Sequence, residues 1–168
     1  TSTRALPVIA VAALAVFAFA APASAQTFKA ELSGAAVVPE PLKTPASGQL
    51  EMTVAANGQS INYVLTVKDI ENVTEGDIQL GPAVANGPLV VKLFHGAAKK
   101  GPFSGVLAQG KIDAADLAGS MAGAKLSELI DEFKAGNAYV NVHTSDGSDP
   151  PNSGPGDYRL GEIRGQIK

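Results

Sequence analysis

The chain has 168 residues, 45% of them hydrophobic, with 13 Lys and Arg against 16 Asp and Glu and a formal net charge of −3. That is enough chain for one domain with a single core, and the mild acidic balance without a basic stripe excludes nucleic acid and anionic membranes as partners. The absence of cysteine excludes thiol catalysis, thiolate metal sites and a lipid-modified cysteine, and leaves core burial to supply stability without disulfides.

The first 25 residues read as a signal peptide. Arg4 supplies the early positive charge, an apolar run extends from Val8 to Ala21, and Ala23-Ser24-Ala25 is the small-x-small pattern of a cleavage site, placing the cut after Ala25. The run is shorter than the roughly 20 residues of a membrane span, so no membrane insertion is expected after processing. The leader holds one of the 13 basic residues, so residues 26–168 carry 12 basic and 16 acidic groups, net −4. The expected location is periplasmic or secreted.

The segment 26–168 is expected to be mainly β. Candidate strands lie around Phe28, in "GQLEMTVA", in "SINYVLTV", and around Ile78, Val90, Val106, Val140 and Ile163. In "GQLEMTVA", Leu50, Met52 and Val54 alternate with Gln49, Glu51 and Thr53, the period of a half-buried strand. Asn57-Gly58 is a strong turn signal, so this strand and "SINYVLTV" are expected to form a hairpin. Eight short strands between Gly, Pro and Asn turns point to a sandwich or barrel.

A helical excursion precedes the last strands. Asp113, with Asp116 three residues on, offers a weak capping box. Leu126, Leu129, Ile130 and Phe133 recur on one helical face, and Gly136 stands where a stop belongs. One or two short helices are expected here, packing that stripe against the sheet.

In "VTEGDIQLG", Asp77 and Gln79 are alternate residues of a strand and so share one face. Further on, Tyr139, Asn141 and His143 share a face, as do Glu162, Arg164 and Gln166, while Val140, Val142, Ile163 and Ile167 point to the core. Between Thr144 and Leu160 the loop "SDGSDPPNSGPGDYR" places Asp146, Asp149, Asn152 and Asp157 as candidate binding residues. Their spacing does not match an EF-hand and no glutamate closes it, so ordinary turn chemistry accounts for the composition. His95 reads as a solvent-exposed turn histidine. No nucleophile elbow, phosphate loop, zinc-protease helix or dinucleotide fingerprint is present, and no enzymatic activity is expected.

"AYVNVHT", the "PPNSGPGDY" loop and "GEIRGQI" resemble the C-terminal signature of the CHRD domain family, named from chordin. "AELSGAAVVP", "ASGQLEMTV", "INYVLTV", "NGPLVVKL" and "GKIDAADL" extend the resemblance over most of the segment. It implies an immunoglobulin-like antiparallel β-sandwich, similar to superoxide dismutase. It also implies adjacency of the Asp77 strand to those of His143 and Arg164, so that Asp77, Gln79, Asn141, His143, Glu162 and Arg164 form one polar patch. The family typically carries His-x-His where this chain has Asp77 and Gln79, which keeps the direction of the side chains and loses their nitrogen ligands.

Two functions follow as expectations. The first is a non-catalytic exported binding or structural module, presenting the sheet face or the Ser145–Arg159 loop to a protein or envelope partner, with no cofactor. The alternative is a copper- or zinc-binding protein with an altered, His-poor site at His143, Asp77 and Gln79.

Overall fold

The computed structural model describes residues 25–168. The expected signal peptide lies outside the described residues, apart from Ala25. The elements in chain order are β1 (Thr27–Ser33), β2 (Ser47–Val54), β3 (Ile61–Leu80), β4 (Leu89–Phe94), β5 (Lys99–Ile112), α1 (Leu126–Lys134), β6 (Ala138–Thr144) and β7 (Ile163–Gln166). Short 3-10 turns stand at Gly34–Ala36, Ala114–Asp116 and Gly119–Met121. Among the described residues no helix is long and apolar enough to cross a membrane.

The sheet is antiparallel throughout and closes on itself. β1 pairs with β2, β2 with β3, β3 with β6, β6 with β7, and β7 returns to β1. Closure leaves no free edge within the ring of these five strands. β4 and β5 both attach to β3 outside the ring.

The closure depends on β3, in which two expected strands are one strand of 20 residues. Its first part pairs with β2 and β5, and its second with β6 and β4. Register shifts between Val67 and Ile70 and between Glu71 and Val73 mark the passage, where Asp69 (φ 52°) and Asn72 (φ 53°) are left-handed. Asp and Asn tolerate that region better than most residues. Asn72 also fixes the bend, accepting from the Gly101 amide at 2.8 Å and donating to the Gly156 carbonyl at 3.3 Å.

The hairpin of β2 and β3 forms as expected, with Val54 opposite Ile61. Its connection is wider than two residues: Ala55 N–H donates to Ser60 O, and Asn57 Oδ1 accepts from Gln59 N–H. Leu50, Met52 and Val54 of β2 are buried with Ile61, Leu65 and Val67 of β3. Each such side chain contributes about 1.5–3 kcal/mol relative to an exposed position.

Asp113 and Asp116 do form a reciprocal capping box, but on a 3-10 turn and not on a long helix. Gly119 explains the break, with φ of +55° and a position where a Cβ would lie 2.4 Å from the Leu89 carbonyl oxygen. The α-helix begins only at Leu126, where the Glu128 carboxylate accepts from Lys125 N–H. Leu126, Leu129, Ile130 and Phe133 are all buried, and the Phe133 ring meets Phe28 of β1 edge-on at 5.2 Å.

Candidate functional site

The register of the second half of β3 against β6 and β7 assembles the polar residues. Asp77 stands opposite Asn141 and Gln79 opposite Tyr139, while Asn141 and Tyr139 stand opposite Arg164 and Gln166. A polar sheet face normally meets water. Here Asp77, Asn141 and Arg164 are buried and Tyr139 is fully buried, because the loops after β3 and β6 lie over this face. Polar atoms buried in such a layer are costly without partners, which explains the density of hydrogen bonds; Gln166 Oε1 is an exception that has none.

One continuous series runs through the expected metal residues. Gly87 N–H donates to the Tyr139 hydroxyl at 3.0 Å, and that hydroxyl donates to Gln79 Oε1. Gln79 Nε2 donates to Asp77 Oδ1 at 2.9 Å, and Asp77 Oδ2 lies 3.0 Å from His143 Nε2. His143 Nδ1 lies 3.0 Å from the Arg159 carbonyl oxygen. A carbonyl only accepts, so Nδ1 donates to Arg159; a proton on Nε2 as well makes His143 an imidazolium that donates to Asp77 Oδ2. Burial opposes that charge, but the hydrogen bond and charge of Asp77, the Arg159 carbonyl and the Glu75 charge outweigh it and raise the His143 pKa.

This arrangement does not fit a copper or zinc ion. It offers one imidazole, and both of its nitrogens are engaged, as are both oxygens of Asp77. Zinc and copper favour several nitrogen or sulfur ligands. Among the described residues no cluster of three His, Cys, Asp or Glu side chains is placed to hold a metal. His95 is exposed at the end of β4. Both His143 nitrogens are hydrogen-bonded in this series, to Arg159 O and Asp77 Oδ2.

Asn141 and Arg164 sit beside this series and fasten loops. Asn141 Nδ2 donates to Leu160 O at 3.0 Å. The Arg164 guanidinium stacks 3.7 Å from the centre of the Tyr139 ring and donates to Pro82 O, Ala85 O and Asn86 Oδ1.

Glu162 belongs to a separate cluster. Its carboxylate accepts from the Thr44 hydroxyl, from Thr144 Oγ1 at 2.7 Å and from Gly156 N–H at 2.9 Å. It joins the segment after β1, the end of β6 and the long loop. Thr144 adds a second tie, pairing with Tyr158 through its amide and its hydroxyl.

Of the four candidate residues of the loop, Asp149 and Asp157 share one partner, Arg159, at 3.3 and 3.9 Å, and the other two do not join them. Asp146 Oδ1 accepts from Ser148 N–H, closing its own turn. Asp149 is exposed and pairs with Arg159 at 3.3 Å. Asp157 is buried and accepts from the amide and hydroxyl of Ser153. Those bonds, chiefly the Ser153 amide, together with the Arg159 charge, lower its pKa against the opposing effect of burial. Asn152 lines an apolar cleft of about 270 Å³ with Val37, Leu42, Tyr158 and Leu160.

Sequence reasoning placed Tyr139 and Gln166 on the polar faces without giving them a role, although their i, i+2 spacing to Asn141 and Arg164 carried that signal. Gln166 Nε2 bonds the carbonyls of Gly81 and Gly136. Thr44 and Asn86 had no local signal, because their partners lie 118 and 78 residues away.

The family model described as the CHRD domain matches residues 28–151, well over half of the chain. No curated protein and no solved structure matches the chain.

Proposed function

The chain belongs to the CHRD domain family, and from that premise we propose that it is a non-catalytic binding module working outside the cytoplasm. CHRD is a non-enzymatic domain family whose members are typically extracellular or secreted. The observation that carries the reading is the fastening of the 145–161 loop. Glu162, Thr144, Asn141 and His143 each bond a backbone group of this loop. A loop held at several points on a barrel loses little conformational entropy on meeting a partner, which favours binding through it.

The partner in this reading is a protein or envelope component, met by the outward side of the loop around Asp146, Asp149 and Asn152. The export expected from the leader agrees with it. The immunoglobulin-like, superoxide-dismutase-like architecture is part of the same proposal, supported by the antiparallel strands and by a barrel whose two halves share β3.

The test compares capture from the envelope and culture medium by the intact chain and by one with residues 147–155 replaced by a short Gly-Ser linker. A specific partner retained by the first and lost by the second supports the proposal. Equal capture by both removes the loop from it.

A further inference from the structure

Arg164 is a buried cation without a counterion. It is 2% exposed, and no Asp or Glu of the described residues forms an ion pair with it. Its oxygen acceptors are two backbone carbonyls and the side-chain carbonyl of Asn86, all neutral, and its other neighbour is the face of Tyr139. Three hydrogen bonds engage Nη1 and Nη2 but leave the charge uncompensated, and a buried charge in that condition is costly.

The same residue lines a cleft of about 240 Å³ together with Val37, Val38, Pro39 and Ala83, and with Gln166 beside Arg164 on β7. Arg164 and Gln166 are alternate residues of one strand and share its face. Gln166 is held by the Gly81 and Gly136 carbonyls, at 2.9 and 2.8 Å, so this part of the lining is preformed. The walls are apolar, and the space is smaller than the roughly 300–1,000 Å³ of sites for drug-sized ligands. Asn86 connects cation and wall, accepting from Arg164 Nη1 at 3.1 Å and donating to Val38 O at 2.9 Å, while the residue itself is exposed. It is the acceptor that an entering anion can replace most easily, since the other two belong to the backbone.

We propose that this cleft binds a small apolar carboxylate, with the carboxylate taking the place of the Asn86 oxygen on Arg164 and the aliphatic part lying against Val37, Val38 and Pro39. Charge-assisted bonds between guanidinium and carboxylate are about twice as strong as neutral ones. The site goes beyond the loop-mediated binding proposed above and does not depend on it; loss of either leaves the other intact.

The test is a titration of the ¹⁵N-labelled full chain with isovalerate, and with isovaleramide as the uncharged match, followed by NMR. The expected result is saturable binding of isovalerate that shifts the Arg164 Nε–H and the Ala83 amide, with the amide binding roughly tenfold more weakly. Two variants complete it: Asn86→Asp supplies Arg164 with a carboxylate of its own, and Ala83→Phe places an aromatic ring on the cleft lining and leaves the Arg164 side chain unaltered. Each is expected to abolish the shifts, with folding checked by the remaining spectrum. Absence of saturation, equal binding of the amide, or binding that survives in either folded variant overturns the proposal.

Discussion

Asp77 and His143 form a partly buried pair, 3.0 Å apart, with side chains 1% and 14% exposed. The pair bridges β3 and β6 at a diagonal, since the residue directly opposite His143 is Glu75. His143 carries the link onward to the loop through the Arg159 carbonyl. The residues read as ligands of an altered metal site are therefore consecutive links between sheet and loop.

The first consequence is a dependence of stability on pH. The His143 pKa is raised above 6.5, so the folded state binds its proton more tightly than the unfolded state. The stabilisation is complete below the unfolded value of about 6.5 and is lost as pH rises through the folded value. The difference in melting temperature between the wild type and His143→Gln is expected to shrink across that window. A difference that stays constant with pH contradicts the assignment.

Removing one partner of the pair leaves the other buried. His143→Ala is expected to cost about 3 kcal/mol, at the low end for a broken buried pair because the imidazole keeps some contact with solvent. Chemical denaturation measures it. Asp77→Asn is expected to lower the His143 pKa, which an NMR titration of the ring reads directly.

Glu162 tests the anchoring of the loop independently. Glu162→Ala removes the acceptor of three donors, among them the Gly156 amide. A loss of about 2–4 kcal/mol is expected, with faster hydrogen exchange at Gly156 and Tyr158. Unchanged exchange at those amides would show that the loop is held without it.

Gly161 has a φ of +123°, and a Cβ there would lie 2.1 Å from Asn141 Oδ1. Gly161→Ala is expected to destabilise by about 2–4 kcal/mol, from backbone strain and from displacement of the Asn141 amide. If thermal unfolding of this variant matches the wild type, the close approach of Gly161 to Asn141 is wrong.

Much of the fold was legible because it follows from short-range pattern. The alternation in β2 and the stripe of Leu126, Leu129, Ile130 and Phe133 mark buried faces that the structure has in those places. The continuity of β3 was not legible, because Asp69 and Asn72 look like turn residues and only the pairing with β5 and β6 carries the chain through them as strand. The same limit applies to the site. Alternation groups Asp77 with Gln79 and Asn141 with His143, but it does not reveal that both groups lie on one sheet face or that loops cover it. A polar face buried by distant segments has the same period as one facing water. The partners of Arg164 are mostly backbone carbonyls, which leave no trace in side-chain identity.

The most direct measurement of the central claim, that Asp77, Gln79 and His143 form a structural link and not a coordination site, is the ¹⁵N spectrum of the His143 ring at neutral pH with and without added copper or zinc. The account predicts two protonated ring nitrogens, with neither shift changing when stoichiometric metal is added. A neutral ring whose free nitrogen responds to one equivalent of metal would contradict it.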